Sequence, residues 1–154
     1  MPSMLMSNEE YLKGNFQKAL EETFVELDYL LLSDEGYEKM TEILLEIKRE
    51  AQGPKAKLEP SDLRDLKSVP FGAGCTACVC LLTPDTIYCA NSGDSRAILV
   101  NKAGKVTELS HDHKPDDPGE MKRIKAGGGF VDDGRVQGII AVSRAIGDWE
   151  YKNP

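Results

Sequence analysis

Two stretches of this sequence place a carboxylate beside a glycine at the edge of an apolar run: CANSGDSRAI at 89–98 and AVSRAIGDWE at 141–150. Each also carries a Ser-Arg-Ala triplet, in opposite order. Asp94 follows the apolar segment IYCAN and the turn Ser92-Gly93, and another apolar segment follows it. A carboxylate at such a corner either caps its own turn, as Asp does in most loops, or projects from a sheet rim, where a hard cation takes oxygen ligands. Asp148 poses the same choice. Arg96 and Arg144 can pair with carboxylates inside the sheet or grip a phosphate with two parallel N–H bonds.

The only histidines, His111 and His113, lie in SHDHKPDD. Their spacing points both to one side of an extended segment, as metal ligands would be. The stretch also runs into a helix start, where Asp residues act as caps, and a structural role for His113 is the simpler reading. Cys75 and Cys78 have CxxC spacing, compatible with zinc or redox chemistry. A structural zinc site needs four ligands. Cys78 and Cys80 instead sit in the apolar run CTACVCLL and share one strand face, so the cysteines are expected to be buried free thiols acting as small apolar groups. No phosphate-binding loop and no GxSxG nucleophile elbow occurs.

The elements that must position these groups fall into two compositional halves within one expected partial domain, 1–154. Residues 8–52 are expected to form a helical hairpin. Leu12, Phe16, Leu20, Phe24, Leu27 and Leu31 recur every three or four positions, and Ser7 with Glu10 fits a capping box. Ser33 suits the N-cap of the second helix, Asp34 and Glu35 suit its positive end, and Gly53-Pro54 ends it. Polar, proline-containing 53–70 reads as a loop, with room for one helical turn at 61–66. From 71 to 154 the pattern is strands. CTACVCLL and IYCAN flank a turn at TPDT, and ILVN and KVTEL flank one at Lys102-Ala103-Gly104, an antiparallel meander. A short helix covers 117–126, FVDDGRV is a hairpin whose Asp-Gly suits a type I′ turn, and IIAVS is a last strand.

Bulk properties narrow the function. A net charge of −7 disfavours nonspecific binding to nucleic acid or anionic membranes. It leaves divalent cations and basic protein segments as partners. No apolar run reaches the length of about 20 needed for a membrane span, and the first residues lack a signal-peptide pattern. The expectation is an intracellular protein, cytoplasmic or nuclear.

The segments GCTACV, ANSGDSRAILV, LSHDHKP, EMKRIKAGGGFV and RVQGIIAVSRAIGDWEYK, in this order and spacing, resemble the middle of a metal-dependent type 2C serine/threonine protein phosphatase over roughly residues 12–152. The resemblance implies an α+β fold: an antiparallel β-sandwich flanked by helix pairs, partial here, with one helical hairpin and several strands. It implies two Mg²⁺ or Mn²⁺ ions and a metal-activated water that attacks a phosphoserine or phosphothreonine of a phosphoprotein substrate. Asp94 matches the aspartate of an additional, weaker metal site. Ser143, Arg144 and Asp148 match residues that support the site. The family's RxxxED, DGHGG, DGxWD and DN motifs, which carry the core metal ligands, do not occur in this sequence. No catalytic residue is therefore assigned, and a chain inactive alone is expected. Open sheet edges predict self-association or complementation by the rest of the domain. The alternative is a non-catalytic, pseudophosphatase-like binding module. A third reading is a metal- or redox-responsive protein built on Cys75, Cys78 and the histidines.

Overall fold

The computed structural model describes residues 1–152. Short helices α1 (Pro2–Ser7) and α2 (Glu9–Leu12) lead into α3 (Phe16–Leu30), α4 (Asp34–Gln52) and α5 (Pro60–Gly72). Then come β1 (Gly74–Cys75), β2 (Ala77–Leu82), β3 (Ile87–Ser92), β4 (Ile98–Val100), β5 (Val106–Glu108), α6 (Pro118–Ala126), β6 (Val131–Asp132), β7 (Arg135–Val136), β8 (Ile146–Gly147) and a 3₁₀ turn at Trp149–Tyr151.

The first expected helix is divided. Asn8, not Ser7, caps α2, its side chain accepting from the Glu10 and Tyr11 N–H groups at 2.8 and 3.3 Å. Gly14, at φ 83°, then turns the chain before α3. Leu12 is left exposed as a result. Ser33 caps α4 as expected, accepting from Gly36 N–H at 3.1 Å, and Gly53 follows its last turn.

The hairpin partner is also different. α4 packs mainly on α5, not on α3. Tyr37 Oη donates to Leu63 O at 3.3 Å, and Lys48 pairs with Asp62. α5 replaces most of the expected loop at 53–70. Pro60 sits at its first position, where a missing N–H costs nothing, and Asp62 accepts from Glu59 N–H at 2.7 Å to complete a capping box. Pro70 falls in the last turn, too late to prevent the helix.

The strands pair as four antiparallel ladders: β1–β8, β2–β3, β4–β5 and β6–β7. The meander is thus two hairpins not joined into one sheet. Segment 139–143 makes one isolated bridge, Val136 to Ile140, and the last strand lies later, at Ile146–Gly147. The turns follow their chemistry. Asp133 and Gly134 both have positive φ (48° and 68°), as a type I′ turn requires. Asn101 accepts from Ala103 and Lys105 N–H at 2.9 and 3.0 Å.

The core lies between the helices and one face of the β2–β3 hairpin. Leu5, Ala19 and Leu20 are buried there, against Tyr11, Val79, Leu81, Tyr88 and Ala90. Phe16 links the layers edge-on, 5.2 Å from Tyr11 and 5.6 Å from Tyr88 between ring centroids. The other hairpin face, with Cys78, Cys80, Cys89 and Asn91, is not covered by this core. β4–β5 likewise presents Ile98, Leu99, Val100 and Val106 to solvent.

Candidate functional site

The corner after β3 is built by backbone stitching. Gly93 has φ 104°. A Cβ there would run into the Thr76 side chain and come within 3.2 Å of Arg144 O. Gly93 N–H donates to His113 Nδ1 at 3.2 Å, and His113 N–H returns a bond to Gly93 O at 2.9 Å. Asn91 Nδ2 donates to His111 O at 2.8 Å and to Gly93 O at 3.1 Å. Ser143 N–H donates to His113 O at 3.1 Å, so segment 111–113 is tied on both sides. His113 is therefore a framework residue, with a ring nitrogen occupied by a backbone donor.

This framework leaves Asp94 half-exposed at the rim, where its carboxylate pairs with the Lys114 ammonium. That partner raises the Lys114 pKa above the usual lysine range. Next to it, Arg96 grips Asp112 through two bonds of 3.0 Å, Nε to Oδ1 and Nη2 to Oδ2. The fork lowers the Asp112 pKa. Ser95 Oγ meets Thr76 Oγ1 at 2.6 Å, fixing the corner to the start of β2.

A second charged cluster supports the rim from α6. Glu120, 8% exposed, accepts from Arg144 Nε and Nη2 at 2.9 and 2.6 Å, from Arg123 Nη2 at 2.9 Å and from Ser143 Oγ at 2.7 Å. Burial alone would push its carboxyl up. The bonds from Arg144, Arg123 and Ser143 outweigh it and hold the carboxyl down at about 2. Arg144, itself exposed, is thus the ion-pair partner of the buried Glu120 and not an open phosphate fork. A cleft of about 410 Å³ opens beside this cluster, lined by Arg123, Arg144, Asp148, Tyr151 and Lys152 among others.

Asp148 belongs to a different corner. It adopts the left-handed conformation at φ 52°, and its N–H donates to Ala73 O at 2.9 Å. Its carboxylate lies against Gly74, where any Cβ would collide with it. Burial raises its pKa above the usual carboxylate range, with Lys152 opposing. α3 anchors this corner through Asp28. Its carboxylate accepts from Gly147 N–H at 2.8 Å and from Lys152 Nζ at 2.6 Å, and its carbonyl accepts from Trp149 Nε1 at 3.3 Å.

Glu120 and Asp28 are the residues that sequence reasoning missed. The one available signal was an arginine, Arg144, with no carboxylate near it in sequence except Asp148. The thiols also differ from expectation. All four are free, but Cys75 and Cys80 are exposed and Cys78 and Cys89 half-buried; the helical core covers the opposite face of β2–β3, with Val79, Leu81, Tyr88 and Ala90. Among the described residues no group of three or more His, Cys, Asp or Glu side chains converges to hold a metal ion. Asp94 offers one carboxylate, already matched by a lysine. These residues do not fit a two-cation centre on their own.

The described residues thus form an α+β scaffold of antiparallel hairpins and flanking helices, with the Asp94 carboxylate at the rim of one hairpin. The family model for protein phosphatase 2C matches residues 1–154, and the chain belongs to that family. Probable protein phosphatase 2C 6 of Paramecium tetraurelia is 43% identical over 148 residues, covering 96% of this chain and 43% of that protein. Protein phosphatase 2C homolog 3 of Schizosaccharomyces pombe is 39% identical over 153 residues, covering 99% of this chain and 29% of the relative. A crystal structure of a phosphatase from a pathogenic strain of Toxoplasma gondii shares 48% identity over 40% of this chain and 20% of its own, at a TM-score of 0.40. The chain spans less than half the length of these relatives.

Proposed function

We propose that this chain is part of a Mg²⁺- or Mn²⁺-dependent protein serine/threonine phosphatase acting on phosphoserine and phosphothreonine in intracellular phosphoproteins. The observation that carries the reading is the family match along the whole chain, with Asp94 at its rim corner. In the holoenzyme the metals would supply an activated water and charge neutralisation on the phosphoryl group. This chain's own residues would do the positioning. Asn91, Gly93 and His113 fix the corner, Asp94 offers one carboxylate to a weaker cation site, and Glu120 holds Arg144 and Ser143 behind it. Lys114 would have to release Asp94 when a cation binds there. The free thiols support an intracellular compartment.

On this reading the chain alone is inactive, because one carboxylate and water do not make a cation cage. The test is Mn²⁺-dependent phosphate release from a phosphothreonine peptide by the folded chain, with Asp94→Ala beside it. No release is expected from either. Release by the parent chain that disappears in the variant would overturn the inactive reading.

The second reading, a non-catalytic binding module, is favoured by the Lys114–Asp94 pair, which neutralises the one candidate ligand. Complementation separates the two. A polypeptide carrying the DGHGG and DGxWD motifs should restore metal-dependent release if the first reading holds. A folded complex with no release would favour the second.

A further inference from the structure

On the face of β2–β3 turned away from the helical core, Cys80 lies directly opposite Cys89 in the antiparallel register. The kind of pair follows from the turn. Thr83 N–H donates to Thr86 O at 2.9 Å, so Thr83 and Thr86 are a hydrogen-bonded pair. Bonded and non-bonded pairs alternate along an antiparallel ladder. Leu82–Ile87 is then non-bonded, Leu81–Tyr88 bonded and Cys80–Cys89 non-bonded. In non-bonded pairs the Cα atoms are about 4.5 Å apart and the side chains approach most closely. A disulfide accepts Cα separations of about 4.4–6.8 Å. The pair can thus be bridged with little backbone movement. Cys80 is exposed and Cys89 half-buried, so one thiol meets solvent and the other waits behind it.

We propose that Cys80 and Cys89 are a peroxide-responsive thiol pair that closes to a cross-strand disulfide. The Cys80 sulfur attacks hydrogen peroxide, the O–O bond breaks, and one water leaves as Cys80 becomes a sulfenic acid. The Cys89 sulfur then displaces the hydroxyl from the Cys80 sulfur. The S–S bond forms, and the Cys89 proton leaves with the hydroxyl as a second water. Two thiols are oxidised and both peroxide oxygens are reduced to water. Burial, and hydrogen bonds with Cys80 and Cys78, push the Cys89 thiol up to about 12, which makes it the slower, second partner. The bridge would clamp the strand that runs directly into the Gly93-Asp94 corner. The inference does not depend on the phosphatase reading.

The experiment treats the purified chain with hydrogen peroxide, with and without dimedone. The product is alkylated and then cleaved before Asp85, which separates Cys89 from the other cysteines, and mapped by mass spectrometry. The expected result is an early dimedone adduct on Cys80, then a Cys80–Cys89 link that dithiothreitol reverses. Cys80→Ser and Cys89→Ser should each abolish the link, and Cys78→Ser should retain it. A link through Cys75 or Cys78, a disulfide-bonded dimer, or thiols that stay fully alkylatable after peroxide would each overturn the proposal.

Discussion

The two Gly-Asp corners begin from the same dipeptide and end as opposites. At Gly93-Asp94 the glycine takes the strained turn, the backbone is tied to His113, and the carboxylate is released to the rim against a lysine. At Gly147-Asp148 both residues have positive φ, and the carboxylate is pressed onto the Gly74 backbone with its pKa raised by burial. One corner presents its charge and the other suppresses it. The dipeptide does not decide this. The element that crosses each corner does: segment 111–114 brings a cation to the first, and β1 brings only backbone to the second.

The contrast can be tested from its most rigid point outward. Gly147→Ala should have the largest effect. Its Cβ would lie 2.5 Å from Ala73 O and 3.0 Å from the Gly74 Cα, on a backbone of φ 80°. A loss of about 3 kcal/mol or more is expected in urea unfolding. A wild-type midpoint would mean that β1–β8 does not hold the second corner.

Glu120→Ala comes next, with an expected loss of about 1–3 kcal/mol from the severed bonds to Arg144, Arg123 and Ser143. Glu120 also sets an acid limb. Its folded pKa lies below its unfolded value, so its contribution is complete above about 4.5 and fades as pH falls toward about 2. Glu120→Gln should flatten that limb in thermal melts.

Asp148 carries the opposite sign. Its folded pKa is raised, so the folded state holds its proton more tightly than the unfolded state. Its favourable contribution exists only while protonated and is lost as pH rises out of the usual carboxylate range. Asp148→Asn should therefore raise the Tm at neutral pH by about 1–3 °C. A lowered Tm would show that the carboxylate makes a bond the corner needs. Asp94→Asn should be the mildest, leaving the Tm within about 2 °C of wild type, since half-exposed ion pairs contribute little. A loss comparable to that of Glu120→Ala would erase the distinction between presented and suppressed charge.

The sequence was most legible where one residue's local chemistry decides the structure. Ser33 and Gly53 bound α4, Asp133-Gly134 forms the turn predicted for it, and Pro118 opens α6 one residue inside the predicted span. It misled where a residue has two roles. Pro60 and Pro70 read as loop residues, yet a proline at the first position and one in the last turn both fit α5. Asn8 caps where Ser7 was expected because α1 carries the chain through Ser7. Tertiary partners were the least legible. Nothing local marks Glu120 as the acceptor for Arg144, or Asp28, within a helix, as the anchor of a corner at 147. The placement of Asp94 at a strand exit was readable, and its lysine partner was not.

The three Asp28 bonds join residues 119, 121 and 124 positions apart. Closing a loop of that length costs about 4 kcal/mol in chain entropy before any bond repays it. The β2–β3 hairpin, whose strands are four residues apart in sequence, carries no such delay. Refolding should therefore run from the hairpin and its helical cover to the Asp148 corner last. During synthesis, α3 must wait for more than a hundred further residues before its aspartate finds the backbone it holds.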